Sequence, residues 1–217
     1  EAVRTGTAPG VEETRPGPEQ LRAFILGMSD IARWSAQEVL DAVDLSGRRH
    51  LLDLGAGPAT YAITFLRAHP RMRATVFDRP EVIAIAREEV ARADLDDRVS
   101  FIGGDMTADA YGTGYDLVLL SNIIHAFGPS VNRAVLRRCR EALEPGGLLI
   151  IKDFLVEDDR SGPPFGLMFA LNMLVGTEAG DTYSRAQIEE WTREAGFVDG
   201  RALDLTPQSR LWIVRKP

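Results

Sequence analysis

The stretch Leu51-Leu52-Asp53-Leu54-Gly55-Ala56-Gly57-Pro58-Ala59-Thr60 decides the fold. A short apolar run ends in a glycine-rich turn, and a helical pattern begins directly after the turn. An apolar strand that leads through such a turn into a helix is typical of the first βα unit of an α/β sheet. We therefore expect a strand over 50–54 and a helix over 59–68.

Strands and helices continue to alternate after this unit. Further strands are predicted over 74–77, 99–102, 115–120 and 148–154. A capping box of Ser184 and Gln187 begins the last helix, and two strands over 197–205 and 210–214 follow it as an antiparallel pair. The pattern predicts an α/β fold of Rossmann-like, doubly wound type, with a mostly parallel seven-stranded sheet and an antiparallel C-terminal strand.

The chain before the first strand is predicted to be a linker followed by helices. Residues 1–19 are rich in Pro, Gly, Thr and Glu, which favours a linker or flexible arm, and the domain is placed at 20–217. Helical spacing then relates Leu21, Phe24, Ile25, Met28, Ile31 and Ala32, and a second helical stretch covers 36–43. Further on, Pro145-Gly146-Gly147 is expected to end a helix with the apolar stripe Val131, Val135, Cys139 and Leu143.

Composition limits the kinds of partner. Lys and Arg number 25 against 32 for Asp and Glu, so the net charge is −7. Without a basic surplus, neither a nucleic acid nor an anionic membrane surface is expected as a partner. A single cysteine, Cys139, excludes an internal disulfide and favours a reducing compartment, so we expect the cytoplasm. On its apolar stripe, Cys139 is expected to be a buried small hydrophobe rather than a nucleophile.

The glycine-rich turn indicates a cofactor. Ligands of α/β sheets bind outside the carboxyl ends of the strands, and Gly55 and Gly57 let the backbone approach one closely. Pro58 removes an N–H group near the helix N-terminus, where a pyrophosphate would bind, and Thr60 replaces the third glycine of G-x-G-x-x-G. No Gly-Lys-Ser/Thr follows, which excludes a P-loop. The turn therefore favours a cofactor without phosphates, such as the cationic S-adenosylmethionine.

Two carboxylates follow the next strands. Asp78 ends the second strand and is expected to accept both ribose hydroxyls, and Asp105 follows the third strand, near the adenine. Met106 would pack on the adenine ring. The alternatives are that Asp78 caps the helix that begins near Pro80 and that Asp105 caps a loop. Asp53 is expected to orient the turn rather than to touch the ligand.

Three motifs together resemble one enzyme family. They are the stretch 51–57, Phe77-Asp78-Arg79-Pro80 (similar to F-D-L-P) and Ile124-His125-Ala126-Phe127 (similar to L-H-D-W). They resemble the catalytic domain of the hydroxyindole/caffeic-acid type of small-molecule O-methyltransferases, which includes bacterial members that modify natural products. Phe24-x-x-x-Met28-Ser29 also resembles the family's helix at the mouth of the site. Two departures stand out: Ala126 replaces the family's Asp, and Thr182 stands at a position of a flanking Glu.

The resemblance implies methyl transfer from S-adenosylmethionine to a small-molecule hydroxyl, with S-adenosylhomocysteine as the product. His125, five residues past Leu120, is expected to be the general base beside the methyl group, held by Asp153 from the fifth strand. The alternative for His125 is a buried histidine bonded to a backbone carbonyl. His50 and His69 are expected to be structural or solvated.

The remaining site residues fall into two sets. The cofactor-binding set comprises Asp53, which orients the turn, and the expected contact residues Gly55, Gly57, Asp78, Arg79, Asp105, Met106 and Ser121. The acceptor is expected to contact Met28, Phe127, Phe169, Asn172 and Met173, with Trp34, Phe165 and Met168 as further wall candidates. Aromatic and methionine side chains suit a flat apolar acceptor, although the same spacing also fits ordinary core. Trp191 and Trp212 are expected in the core.

Three alternatives remain open from the sequence. A catechol-type methyltransferase needs a Mg²⁺ cluster where Ser121-Asn122 offers no acid, and an NAD(P) oxidoreductase is disfavoured by Pro58 and Thr60. The third alternative is a cofactor-binding fragment, or a diverged member with other chemistry. The resembling enzymes carry an N-terminal helical domain that dimerises, and nothing here matches it. We therefore expect either the catalytic half of a longer, homodimeric protein or a shortened member, with exposed apolar residues over 21–34.

Overall fold

The structure, a computed structural model, describes residues 17–206 and 208–217, so predictions for residues 1–16 lie outside it. Its strands are β1 (His50–Leu54), β2 (Arg73–Asp78), β3 (Val99–Gly103), β4 (Tyr115–Ser121), β5 (Leu143–Asp153), β6 (Val198–Asp204) and β7 (Arg210–Arg215). Its helices are α1 (Pro18–Ala42), α2 (Thr60–Ala68), α3 (Pro80–Arg92), α4 (Pro129–Ala142), α5 (Pro164–Gly176) and α6 (Arg185–Glu194). Short 3₁₀ turns cover Asp96–Arg98 and Ile124–Ala126.

The strands form one seven-stranded sheet in the order β3-β2-β1-β4-β5-β7-β6. β2 pairs in parallel with both β1 and β3, whereas β6 and β7 pair antiparallel. The order reverses direction at β1, which is the switch point of a doubly wound sheet. The predicted Rossmann-like fold is confirmed.

The described residues divide into two compact units, each with its own buried core. The first unit comprises 17–119 with 141–148, and the second comprises 120–140 with 149–217. Fully buried side chains of the first include Leu51, Leu52, Leu54, Phe65 and Phe77, and those of the second include Ile150, Ile151, Ile188, Trp191 and Trp212. Consecutive residues of β1 (Leu51 and Leu52) and of β2 (Val76 and Phe77) are buried, which is typical of strands covered on both faces. The predicted core positions of Trp191 and Trp212 are confirmed.

Helix α1 is a single helix of 25 residues, and the prediction of two separate helical stretches was wrong. Residues 33–35 contain neither glycine nor proline, so nothing there breaks the helix. It begins at Pro18, within the stretch predicted as linker, because proline is well tolerated at the first helical position. The buried side chain of Ile25 packs with Val82 and Ile85 of α3.

The outer face of α1 exposes three large apolar side chains. Phe24, Met28 and Trp34 are 61%, 40% and 81% exposed, as expected for this stretch. The side chain of Ile31 lies outside the described residues. On the inner face, the hydroxyls of Ser29 and Thr60 are hydrogen-bonded at 3.0 Å, which joins α1 to the start of α2.

Two predictions around α4 and β5 need correction. Strand β5 begins at Leu143, so Pro145-Gly146-Gly147 lies within the strand instead of preceding it. Arg48 Nη1 donates to the carbonyls of Asp116 and Gly146, and these tertiary bonds oppose the turn preference of that segment. The buried stripe of α4 also differs from the predicted one, because it contains Asn132, Val135, Leu136 and Cys139, while Val131 is only half-buried.

Cys139 is fully buried, and burial raises the pKa of its thiol well above the ordinary range. The prediction that it is a small hydrophobe is confirmed. No helix in the described part of the chain is long and apolar enough to cross a bilayer.

Candidate functional site

The glycine-rich turn after β1 is tied to the end of β2. Gly55 and Gly57 adopt φ of +73° and +56°, in the left-handed region that favours glycine. The N–H of Gly55 donates to the carbonyl of Phe77 at 2.8 Å. A Cβ atom built on Gly57 would meet nothing within 4 Å, so open space lies beside the turn. A ligand can therefore approach this backbone closely.

Asp78 holds the turn from the end of β2. Its Oδ2 accepts from the Gly57 N–H at 2.8 Å, and its Oδ1 accepts from the Arg79 N–H at 2.7 Å. Arg79 is the N-cap of α3 and its own side chain makes no cap hydrogen bond, so Asp78 holds the backbone at the start of that helix as well as the turn. Burial raises the pKa of Asp78, while the two N–H groups oppose that rise. A carboxylate offers about four acceptor positions, so two remain for ligand hydroxyls.

Asp53 anchors the helix that follows the turn. It is 2% exposed, and its Oδ2 accepts from the Ala62 N–H in the first turn of α2 at 3.1 Å. Burial, together with the charge of Asp78, raises the pKa of Asp53 to about 7. Its contact fits the predicted role of orienting the turn.

The glycine-rich turn offers few free N–H groups to a phosphate. Pro58 lies before Thr60, the first residue of α2, so it removes a donor from the turn and not from the helix. In the helix itself, Asp53 occupies the Ala62 N–H. The N–H groups of Gly57 and Ala62 thus both face carboxyl groups, and a pyrophosphate would meet acids in place of free donors. The carboxylate of Asp78 disfavours an anionic ligand at the turn and favours a cationic one.

Asp105 caps its own loop. Its Oδ1 accepts from the backbone N–H and the hydroxyl of Thr107, both at 2.7 Å, as in the alternative interpretation. The adjacent Gly104 N–H donates to the Asp78 carbonyl at 3.0 Å, so the loop begins directly beside the end of β2. The carbonyl of Met106 accepts from the Tyr111 hydroxyl at 2.6 Å. Contacts of Asp105 and Met106 with adenine stay predictions.

The second unit holds His125 on the 3₁₀ turn after β4. His125 Nδ1 lies 2.7 Å from Asp153 Oδ1, and the His125 backbone N–H donates to Asp153 Oδ2 at 3.4 Å. The side chains of His125 and Asp153 are 13% and 2% exposed. The ring nitrogen thus bonds to a buried carboxylate and not to a backbone carbonyl, which was the alternative. Because a carboxylate only accepts, Nδ1 carries the hydrogen and Nε2 is left to take a proton.

The carbonyls around His125 are also held. Asn132 Nδ2 donates to the carbonyls of Ile124 and Phe127, and the Asp181 N–H donates to the His125 carbonyl at 3.0 Å. The Tyr183 hydroxyl donates to the Phe127 carbonyl at 2.5 Å. Sequence analysis missed Asn132 and Tyr183; a polar residue on the apolar stripe of α4 was the available signal for Asn132.

Two phenylalanines, Phe154 and Phe169, contact the His125 ring, and Phe165 extends the cluster. Phe169 meets the histidine ring edge-on with ring centroids 4.9 Å apart, and Phe154 stacks at 6.0 Å with an interplanar angle of 23°. Phe154 also contacts Phe165 at 5.0 Å. Phe154 was not predicted. Among the predicted acceptor residues only Phe169 contacts the His125 ring in the described contacts; Phe127, Asn172, Met173 and Met28 keep their roles as predictions only.

The end of β4 offers a polar atom but no metal cluster. The buried Ser121 Oγ has no hydrogen-bond partner among the described residues, which leaves it available to a ligand. In residues 17–206 and 208–217 no three His, Cys, Asp or Glu residues are grouped as a metal site. Asn122 Oδ1 accepts from the Lys152 ammonium at 3.3 Å, and an ammonium there opposes the Mg²⁺ of the catechol-type alternative.

His50 has a structural role, as predicted. Its Nδ1 lies 3.2 Å from the Gly114 carbonyl and its Nε2 lies 3.1 Å from the Thr75 hydroxyl, so both ring nitrogens serve the fold. Arg79 is exposed, with Glu81 at 3.6 Å.

The sheet order, the glycine turn held by Asp78 and the His125–Asp153 pair place the chain among Rossmann-like methyltransferase domains. A family model described as an O-methyltransferase domain matches residues 6–198, and the chain belongs to that family.

Named relatives agree with this family. The chain is 38% identical to a 3-hydroxy-5-methyl-1-naphthoate 3-O-methyltransferase of Streptomyces sahachiroi, over 94% of the chain and 60% of the relative. It is 32% identical to a tetracenomycin polyketide synthesis 8-O-methyl transferase of Streptomyces glaucescens, over 100% and 65% respectively. Human N-acetylserotonin methyltransferase in complex with S-adenosylmethionine superposes with a TM-score of 0.89 at 26% identity, covering 99% of this chain and 64% of that one. The chain thus spans about three fifths to two thirds of these proteins.

Proposed function

We propose that the protein transfers a methyl group from S-adenosylmethionine to a hydroxyl of a small aromatic molecule, with His125 as the general base. The observation that carries this proposal is the bond between His125 Nδ1 and the buried carboxylate of Asp153. That bond orients the ring and leaves Nε2 as the atom that takes the hydroxyl proton. The names of the relatives, which describe O-methylation of aromatic compounds, support the reaction class.

The cofactor half of the proposal rests on the glycine turn. Open space beside Gly57, two free acceptor positions on Asp78 and the acids at the turn fit a cationic nucleoside better than a dinucleotide. When bound there, S-adenosylmethionine supplies a methyl group already activated by its sulfonium. Asp78 would hold the ribose hydroxyls, and Gly55 and Gly57 would let the backbone approach the cofactor.

The acceptor half rests on the rings around His125. Phe154, Phe165 and Phe169 form a contiguous aromatic cluster that touches the histidine ring. Aromatic rings favour a flat aromatic acceptor by stacked and edge-to-face packing. A phenol has a pKa near 10 and is mostly protonated at neutral pH, so a base at its hydroxyl accelerates the displacement.

The proposal is tested by following a labelled methyl group. The full gene product would be incubated with S-adenosylmethionine carrying a trideuteromethyl group and with either 3-hydroxy-5-methyl-1-naphthoate or N-acetylserotonin. We expect mass spectrometry to show one trideuteromethyl in place of a hydrogen in an aromatic hydroxy compound, and NMR to place it on oxygen. The matched control is 5-methyl-1-naphthoate, which lacks the hydroxyl and should gain no label. Label on carbon, or transfer to the control, would contradict methylation of the hydroxyl.

A further inference from the structure

We propose that Asn132 is a positioning residue for His125. Its carboxamide fixes the backbone on both sides of the histidine turn and thereby holds the His125 ring on Asp153. The inference rests on the proposed function, because it gives Asn132 its purpose through the base. Asn132 does not touch the reacting atoms in this account.

Both hydrogens of one amide group are used on the turn. Asn132 Nδ2 donates to the Ile124 carbonyl at 2.9 Å and to the Phe127 carbonyl at 2.9 Å. These two carbonyls lie on either side of His125 in the chain. A rotation of the turn that moved the His125 ring would break at least one of the two bonds. Since Asn132 projects from the first turns of α4, it ties the base to a regular helix.

The Oδ1 atom of Asn132 shows that packing alone does not explain why an asparagine stands at this position. Asn132 is 1% exposed, and its Oδ1 is buried without a hydrogen-bond partner among the described residues. An unpaired buried acceptor is destabilising. Its neighbours on the stripe, Val135, Leu136 and Cys139, are all apolar and buried, so leucine would suit the position better by packing. The two bonds to the turn are the contribution that leucine would lack.

Asn132 does not act alone on this turn. The Tyr183 hydroxyl shares the Phe127 carbonyl, and burial raises the pKa of Tyr183 to about 12, so that the hydroxyl stays a donor. The Asp181 N–H holds the His125 carbonyl, and a Cβ on Gly180 would overlap that carbonyl, which shows how closely this segment approaches. Because these contacts survive without Asn132, its loss should displace the ring partly and slow the reaction without abolishing it.

The test compares Asn132→Leu and Asn132→Asp with wild type in the full gene product, using the acceptor that takes the label. We expect kcat to fall about tenfold in both variants, because a small misplacement of the base is costly, while KM and the Kd for S-adenosylhomocysteine change less than twofold. The pH–rate profile should also shift, because the hydrogen bond between His125 Nδ1 and Asp153 is weakened when the ring is displaced. Asn132→Leu should unfold at a temperature no lower than that of Asn132→Asp.

Two controls separate positioning from packing. Cys139→Ala perturbs the same buried stripe without touching the turn, and it should keep the wild-type kcat and pH profile. In the His125→Ala background, adding Asn132→Leu should cause no further loss, because coupled residues are not additive. Wild-type kcat and pH profile in Asn132→Leu, or an additive loss in the double variant, would overturn the inference.

The inference and the proposed function fail in different ways. If His125→Ala lowers kcat but Asn132→Leu keeps the wild-type kcat and pH profile, only the role of Asn132 is overturned. A His125→Ala with wild-type turnover overturns the base itself. If Asn132→Leu does not fold, Asn132→Asp carries the test, with the exchange rate of the His125 Nδ1 proton, measured by NMR, as a second readout. Faster exchange is expected, and an unchanged rate would contradict the role.

Discussion

Replacing His125 with alanine should lower methyl transfer about 10²–10⁴-fold while leaving the affinity for S-adenosylhomocysteine nearly unchanged. The loss has this size because no neighbouring group replaces the base: Asp153 is 2% exposed and bonds to the histidine ring and to the Phe154 N–H. Above neutral pH the deficit should shrink, because a phenolic acceptor with a pKa near 10 then ionises without help. Turnover across a pH series, with calorimetry for the cofactor product, measures both effects.

The matched control is His69→Ala, which removes a histidine at the end of α2 whose side chain makes no described hydrogen bond. It should keep wild-type turnover. Asp153→Asn should fall between wild type and His125→Ala, since an amide oxygen can still accept from Nδ1. A His125→Ala variant that turns over at the wild-type rate, at neutral pH, would refute the role of the base.

Replacing Asp78 with alanine should weaken binding of S-adenosylhomocysteine by about 1.5–3 kcal/mol, the range for hydrogen bonds to a charged group. That is about ten- to a hundredfold in Kd. Two effects act together in the variant. The ribose hydroxyls lose their acceptor, and the Gly57 N–H of the turn loses its hydrogen bond to the Asp78 carboxylate. Isothermal titration calorimetry gives the affinity, and thermal unfolding shows how much of the change reflects a loosened turn.

A control variant and a pH series test this prediction further. Glu141→Gln removes an exposed carboxylate near the end of α4 and should leave the Kd unchanged. Burial raises the pKa of Asp78, so wild-type affinity should decline on acidification at a higher pH than for an ordinary aspartate, because the protonated form is the weaker acceptor. NAD should not bind either protein. Tight NAD binding without binding of S-adenosylhomocysteine would refute the assignment of the cofactor turn.

Local sequence signals located most of the fold. The apolar run before Gly55 and the proline at the start of α3 mark elements whose bounds agree with the structure within a residue or two. One error arose where tertiary contacts override local preference, and the other where no local signal marks a helix boundary. The segment Pro145-Gly146-Gly147 has turn-forming residues, yet its backbone is held by Arg48. Helix α1 continues past Trp34 because no breaker is present, although its outer face exposes large apolar side chains.

The positions of the site residues were predictable where these residues lie at the carboxyl ends of adjacent strands. His125 follows β4 and Asp153 ends β5, and these strands are neighbours in the sheet, so the pairing of the two residues follows from strand order. The hydrogen bonds of Asn132 and Tyr183 to the His125 turn depend on how α4 and the segment before α6 pack, which no spacing rule contains. The roles of these residues in catalysis stay predictions.

A crystal structure of the full gene product with S-adenosylhomocysteine and an aromatic hydroxy acceptor would show whether His125 faces the reacting oxygen. We expect the acceptor oxygen within hydrogen-bond reach of His125 Nε2, at about 2.6–3.2 Å, with the ribose hydroxyls on the Asp78 carboxylate. An acceptor whose hydroxyl lies away from His125, or a nucleoside bound away from Asp78, would contradict this expectation.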